Sequence, residues 1–505
     1  MVYFFPHACH LSIFCIVFKI RMEGRMMAVA MMVAYFLILL VLGIYSHKKA
    51  KGDVEDYFLA GRSFGPVVLF FTLAATNFSA FTFLGFAGKA YTDGMGQYGA
   101  MALGTSFMAV MFYVIGRKVW KIGKEKGYIT PGELIGGRYD SAALRLIFTG
   151  AMSIFTIPYL AIQAIGAGYI LQMIFPELGM EIGAVVVTII ITFYVLLGGM
   201  RASGWTDVFQ GMIMVAAMLA AFAFIAHSLG GLGNATSAAY NVQPSLFSRP
   251  GPNGYFTLKI WLSFLILWMF CDPMFPQIFT RFYTAKSQRS LKISMALYPL
   301  LISFFFLLPV LIGVWAHGAG IEVSNPDNVL LIMVRNYTPS FVFSFVIVGA
   351  LAALMSTADS QLLSLSTMLT CDIMGKKVRY SRIVTLLLSS FAIIFIIFGY
   401  NPRAGIMGTL VNTTFSGLVV LFPSVLATLY WKKATKWGCM ASIIVGEFIV
   451  FSGPYVSIPS FGFLPSMTAL AVSFALLFIF SMVTAEGKNL KVGGIFTAIT
   501  KRGER

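Results

Sequence analysis

Two adjacent hydroxyls, an aspartate and a third hydroxyl stand in the run Ala353-Leu354-Met355-Ser356-Thr357-Ala358-Asp359-Ser360-Gln361, inside an otherwise apolar stretch. Clusters rich in oxygen and poor in nitrogen suit a small hard cation. Ionisable groups at membrane depth are costly and mark ion or substrate pathways. The chemistry this run supports is cation binding within a membrane, as in a cation-coupled transporter.

Two further stretches would expose backbone to a ligand. Phe70-Phe71-Thr72-Leu73-Ala74-Ala75-Thr76-Asn77-Phe78-Ser79-Ala80-Phe81-Thr82 gathers small and hydroxylated residues at the centre of a span. Leu267-Trp268-Met269-Phe270-Cys271-Asp272-Pro273-Met274-Phe275-Pro276-Gln277 carries two prolines. Proline removes a backbone donor and breaks a helix. Secondary transporters bind solute where two helices unwind, at matching positions of two inverted halves. These stretches lie five spans apart, as the first members of two five-helix repeats would. Carbonyls freed by such unwinding have no helical partner, and an ion can satisfy them.

The elements that position these residues follow from composition. The 505 residues are 58% hydrophobic and 11% charged, against roughly 25% charged in a soluble domain. Apolar stretches of about 20 residues recur throughout. The expected fold is all-α and polytopic, with thirteen transmembrane helices near 27–46, 65–90, 97–119, 143–173, 182–198, 205–227, 257–282, 290–316, 340–371, 382–399, 405–430, 438–453 and 464–485. Spans 143–173 and 340–371 exceed one straight crossing, so they must tilt, kink or extend beyond the lipid. The longest polar gaps, around 120–141, 228–256 and 317–339, leave no room for a soluble domain. Residues 1–26 read as an N-terminal extension with a later start expected at Met22, Met26 or Met27, residues 27–485 as the transmembrane domain, and 486–505 as a cytoplasmic tail.

The formal charge of +17 does not indicate nucleic acid, because Lys and Arg alternate by loop. Lys19, Arg21, Arg25, Lys89, Arg249, Lys259, Arg335 and Arg403 fall on one side and every other Lys and Arg on the opposite side. The positive-inside rule then puts the C-terminus in the cytoplasm and the N-terminus outside. An odd number of spans agrees. On this reading no arginine or lysine falls at mid-membrane. The five cysteines show no metal-ligand or disulfide spacing and read as small packing residues.

Several separated motifs resemble the sodium:solute symporter family. They are Asp56-Tyr57-Phe58-Leu59-Ala60-Gly61-Arg62-Ser63; Thr130-Pro131-Gly132-Glu133-Leu134 with Arg138-Tyr139; Gly198-Gly199; Trp205-Thr206-Asp207-Val208-Phe209-Gln210; Pro276-Gln277 with Arg281-Phe282; and Ala353 to Gln361. The resemblance covers roughly residues 27–485. It implies a LeuT-type core of two inverted five-helix repeats in spans two to eleven, in a multi-pass plasma-membrane protein working as a monomer. It implies sodium as the co-transported ion, bound by backbone carbonyls at Ala75, Phe78 and Ala353 and by the hydroxyls of Ser356 and Thr357. Asp207 matches an aspartate on the family's ion path, and Asp359 and Ser360 match a second cation site. Aspartate at 359 departs from the commoner small residue and suits either sodium or a proton. By position Asn77, Ser79 and Thr82 face the solute, with Gln163, Trp268, Asp272 and Asn412 lining the same space. Asp272 stands where proline permease has tyrosine.

The function expected is sodium-coupled import of a small organic solute, such as an amino acid, carboxylate, vitamin or sugar, by alternating access. A proton-coupled symporter and a transport-like sensor are the alternatives; the short polar segment after the last span points away from a fused sensor kinase. The spans contain almost no histidine and no paired acid–base motif, so no enzyme activity is expected.

Overall fold

The computed structural model describes residues 7–48, 53–197, 199–401, 403–453 and 455–485. The first six residues, Gly198 and the expected tail 486–505 lie outside them. Fifteen helices organise the bundle. They are α1 (His7–Lys48), α2 (Pro66–Asn77), α3 (Phe81–Asp93), α4 (Gly96–Lys126), α5 (Ala142–Ile174), α6 (Met180–Leu197), α7 (Met200–Ser228), α8 (Leu258–Met274), α9 (Pro276–Thr284), α10 (Gln288–Gly318), α11 (Ser340–Ile373), α12 (Val378–Phe398), α13 (Gly405–Tyr430), α14 (Lys436–Ser452) and α15 (Pro465–Ala485). Each long polar gap holds a short helix: Pro131–Tyr139, Leu232–Val242 and Val329–Tyr337.

Among the described residues, nine helices are long and apolar enough to cross a membrane, or eleven with each bent pair counted as one span. The other two expected spans fall on α6 and α14 and do not pass on length and apolarity. The count of thirteen is therefore not established. The apolar segment from His7 to Ile20 runs into the first span as one continuous helix.

Both expected breaks are present. The pair α2 and α3 is bent by 61°, and the pair α8 and α9 by 54°. Helix α2 opens with Pro66 at its first turn, where a missing N–H costs nothing, and ends at Phe78, whose backbone is extended. Short polar side chains compete with the helix there: Thr82 Oγ1 donates to the Asn77 carbonyl (3.4 Å) and accepts from the Ser79 N–H (3.5 Å). In the second pair, Phe275 is extended between a tight turn at Asp272–Met274 and Pro276, which starts α9.

These pairs open two five-helix units, α2/α3 to α7 and α8/α9 to α13. The units run in opposite senses. Phe64, just before α2, pairs with the end of α9 and the loop that follows: its N–H donates to the Thr284 carbonyl (3.1 Å), and its carbonyl accepts from the Lys286 N–H (2.8 Å). The start of one broken pair and the end of the other therefore share a face. Helix α11 runs through the centre, packed by α7, α5, α1, α2 and α9. It is buried without interruption from Val346 to Met368, as expected of a helix surrounded by others. Gly166 on α5 lets α11 and the first break close together; a Cβ there would stand 2.6 Å from Leu354 Cδ2 and 2.9 Å from Ala80 Cβ.

Candidate functional site

Where α2 unwinds, its carbonyls face α11. Ser356 Oγ lies 2.9 Å from the Ala75 carbonyl and 3.0 Å from that of Ala353. Thr357 Oγ1 lies 3.1 Å from the Thr76 carbonyl, 3.2 Å from that of Phe78 and 3.1 Å from that of Ala353. Both side chains are fully buried. The five oxygens expected around sodium are thus brought together, and the Thr76 carbonyl adds a sixth. All are neutral oxygens, a set that suits a hard monovalent cation.

Beside it lies the space expected for the solute. Asn77 Nδ2 donates to Tyr298 Oη (2.6 Å) and reaches Asp272 Oδ2 at 3.5 Å, joining the two breaks. Ser79 Oγ is 3.4 Å from Tyr159 Oη. Trp268 stacks on Phe81 (5.5 Å between centroids) and packs edge-on against Phe415 (4.7 Å). Tyr159 and Phe275 complete this aromatic group through Phe415, at 5.7 and 5.4 Å. Asn77 Oδ1, Asp272 Oδ1 and Trp268 Nε1 are buried with no hydrogen-bond partner. Unsatisfied polar atoms in a dry interior are costly, so this corner is suited to a polar ligand.

Three expected solute residues are placed differently. Gln163 uses both ends of its amide on the backbone: Oε1 accepts from the Ala80 N–H (3.0 Å), capping α3, and Nε2 donates to the Tyr159 carbonyl (3.2 Å). Thr82 turns back into the break, as described above. Asn412 is exposed, at the π-helical turn 411–415 of α13, whereas the other solute-site residues are buried. Tyr159, Tyr298 and Phe415 were not expected at this site. Aromatics inside apolar spans have the pattern of ordinary core, and only their alignment with Asn77 and Asp272 across the bundle sets them apart.

One turn beyond Ser356 and Thr357, the second expected cation site is built around an arginine. Arg281 and Asp207 are completely buried and joined by Nη2 to Oδ2 at 3.0 Å. Arg281 also donates through Nε to Thr72 Oγ1 (2.7 Å) and through Nη2 to Ser203 Oγ (2.9 Å) and Ser360 Oγ (2.7 Å). Thr72 Oγ1 donates to Asp207. Arg281, which the sequence groups with the basic loop that follows it, is thus a buried side chain inside the bundle. Asp359 is buried on another side of α11, where it acts electrostatically on Tyr35 of α1. Tyr35 Oη accepts from Gln210 Nε2 (2.7 Å).

At the end of α3 away from Phe64 and Thr284, a cavity of ≈ 200 Å³ is lined by Gly85, Lys89, Tyr255, Asp327, Arg403 and Val411, among others. Asp327 Oδ2 accepts from the Ile406 N–H (2.9 Å), tying the loop at 325–328 to the start of α13. Burial pushes the Asp327 carboxyl up to about 6, against the opposing pull of that N–H.

The model of the sodium:solute symporter family matches residues 57–446. The chain is 24% identical over 454 residues to a sodium/pantothenate symporter of Escherichia coli (strain K12), covering 88% of this chain and 93% of that protein. It is 28% identical over 425 residues to a high-affinity proline transporter of Bacillus subtilis (strain 168), covering 81% and 88%. Among solved structures it is similar to a substrate-bound, outward-open Na+-coupled sialic acid symporter, with a TM-score of 0.76 at 18% identity over 90% of this chain and 98% of that one. A nucleobase-cation-symport-1 family transporter in a closed conformation gives a TM-score of 0.56 at 15% identity, over 85% and 94%. These two likenesses concern the fold.

Proposed function

Because this chain belongs to the sodium:solute symporter family, we propose that it imports a small amine-bearing solute with sodium across the plasma membrane, N-terminus outside and C-terminus in the cytoplasm. Sodium sits among the carbonyls of Ala75, Phe78 and Ala353 and the hydroxyls of Ser356 and Thr357. The observation that carries this reading is the convergence of these oxygens from an unwound helix and a central helix: the two hydroxyls lie 2.9 to 3.2 Å from the carbonyls of Ala75, Phe78 and Ala353. Without the ion the two hydroxyls hold the carbonyls. With it, the hydroxyls rotate and present lone pairs, so sodium binding ties α11 to the break that frames the solute.

The solute binds between the breaks. Asp272 and Asn77 offer free oxygens, and Trp268, Phe81, Tyr159 and Phe415 offer aromatic surface. A buried carboxylate next to aromatic rings favours an ammonium group, so the amino-acid class fits better than a plain monocarboxylate. One charge crossing 100 mV releases about 2.3 kcal/mol, and a tenfold sodium gradient adds about 1.4 kcal/mol. Together, roughly 3.7 kcal/mol supports several-hundred-fold accumulation of a net-neutral solute per sodium.

A thermal-shift screen of the purified protein tests the proposal. Amino acids, monocarboxylates, pantothenate and sugars are each added in sodium and in potassium. An amino acid that raises the melting temperature in sodium alone is the expected result. Stabilisation that is equal in both salts, for every compound that binds, would count against sodium coupling.

A further inference from the structure

Phe81 and Phe415, which border the solute space, meet at 6.0 Å. One turn further along α3, Gly85 lies against Ile406 at the start of α13; a Cβ there would stand 3.4 Å from Ile406 Cγ2. Beside this seam lies the turn Asn325–Asn328, between α10 and α11. It rests on Gly88 of α3, where a Cβ would come within 2.8 Å of the Pro326 carbonyl oxygen. Asn325 Oδ1 accepts from the Asp327 N–H (3.0 Å) and fixes the turn. Asp327 then crosses to α13, where its Oδ2 accepts from the Ile406 N–H (2.9 Å). On α5, Tyr169 Oη bonds Tyr400 Oη (3.1 Å) and meets Asn325. One short turn thus ties α3, α5 and α13 together over the solute space. We propose that this turn is an outer lid and that Asp327 is its proton-binding site, so that closing the lid takes up one proton from the outer solution and opening it returns the proton to the same side.

This inference rests on the symporter reading above and on its orientation, in which Lys89 and Arg403 lie outside. Asp327 is buried with an N–H beside it but no counter-charge. Lys89 of α3 lines the same cavity, but it is paired with Asp93 at 2.7 Å and lies over the Tyr255 ring. Arg403 lines the cavity from the loop before α13 and is exposed. Among the described residues neither is ion-paired to Asp327. Tyr169 and Tyr400 face Asp327, Tyr255 shares its cavity, and Glu181 of α6 acts on Tyr169. His317 of α10 is held on the Tyr91 carbonyl (2.7 Å).

Burying a carboxylate without a counter-charge is costly, and one N–H at a helix start offsets only part of that cost. A proton on Oδ1 neutralises the group and leaves the Oδ2 bond in place. In an open lid the carboxyl meets water and titrates near the usual value of about 3.9. In the closed form it is raised to about 6. The closed form therefore holds the proton more tightly, and acid favours closure. Across the two limits the closing equilibrium changes roughly a hundredfold. Because the proton leaves on the side it came from, it carries no charge across the membrane, and sodium remains the driving ion.

Hydrogen–deuterium exchange of the purified full-length chain, corrected for the intrinsic pH dependence of amide exchange, is the test. From about pH 5 to about pH 7.5, protection of Asn325–Asn328 and of Ile406 is expected to fall roughly tenfold, with α15 unchanged. Asp327→Asn should flatten the profile. A flat wild-type profile would overturn the proposal, and it decides the matter even if Asp327→Asn does not fold. An impermeant maleimide applied from outside to Val411→Cys, at a position lining the cavity, reads whether the opening leads inward. Its labelling, divided by that of Val411→Cys in the Asp327→Asn chain, should rise by a similar factor over the same range. A constant ratio would confine the change to the turn and overturn the lid. A pH dye trapped in proteoliposomes should show no acidification during sodium-driven uptake. Acidification that is lost in Asp327→Asn would mean the proton crosses, and would overturn same-side release. Solute uptake that is independent of sodium would remove the symporter reading and leave the exchange result standing.

Discussion

Replacing Ser356 by alanine removes one oxygen from the proposed sodium site and leaves four of the five expected ligands. Its Oγ lies 2.9 Å from the Ala75 carbonyl and 3.0 Å from Ala353, so both the ion-bound and ion-free states lose a contact. A hydrogen-bonding partner of a charged group is worth about 1.5–3 kcal/mol, and of a neutral one about 1. The charged term alone corresponds to roughly 12- to 160-fold in affinity at 1.36 kcal/mol per decade. Losing about 1 kcal/mol of neutral contact in the ion-free state offsets part of it and leaves about 0.5–2 kcal/mol, or roughly 2- to 30-fold in affinity. Thr357→Ala should do the same, since Thr357 Oγ1 reaches three carbonyls at 3.1 to 3.2 Å. The assay is the melting temperature against sodium concentration, because a ligand that binds the folded state stabilises it as the logarithm of its concentration over Kd. Each variant's curve should move about one decade to higher sodium with its slope unchanged. Ser366→Ala, in the same helix with its hydroxyl bonded to the Leu363 carbonyl, should leave the curve in place. Half-points for Ser356→Ala and Thr357→Ala both within twofold of wild type would refute the assignment.

Three further outcomes are expected. Asp272→Asn keeps the shape and removes the charge, so it should abolish sodium-dependent transport of an amine-bearing solute while sodium binding alone survives; equal transport of a plain carboxylate by wild type and variant would rule the amine role out. Gly166→Val pushes a branched side chain between Leu354 and Ala80, and overpacking of about 1–3 kcal/mol should lower both the melting temperature and sodium affinity, read in the same titration. Asp327 has a folded pKa of about 6, above the usual carboxylate value near 3.9. The folded state therefore holds its proton more tightly, and this contribution to stability is full below about pH 4 and lost as pH rises through about 6. Its size is on the order of 2–3 kcal/mol. Asp327→Asn should flatten the melting-temperature profile between these limits, and an unchanged profile would show that Asp327 does not titrate there.

The breaks were legible because their cause is local. Pro273 and Pro276 remove donors, and Asn77, Ser79 and Thr82 compete with the helix, so the sequence alone places both within a residue or two. The hydroxyls on α11 were legible because they interrupt an apolar span. What depends on distant partners was not. Arg281 sits at the end of a span next to Lys286, Arg289 and Lys292, and by sequence it belongs with that basic loop. The signal that would have found it is charge balance: Asp207 in an apolar span needs a counter-charge, and Gln277 and Arg281 are spaced by four, on one face of a short helix. Gln163 and Asn412 show the reverse error. Each is a polar residue in an apolar span, but one caps the break and the other is exposed. Only the rotation of each helix within the bundle decides between those fates.

The most direct measurement is uptake by proteoliposomes containing the full chain, loaded with potassium and diluted into sodium or potassium buffer with labelled amino acids. Accumulation of at least one solute above its outside concentration, only in sodium and lost when the sodium gradient is collapsed, is what the account predicts. Uptake that stops at equilibrium and is the same in potassium would contradict it.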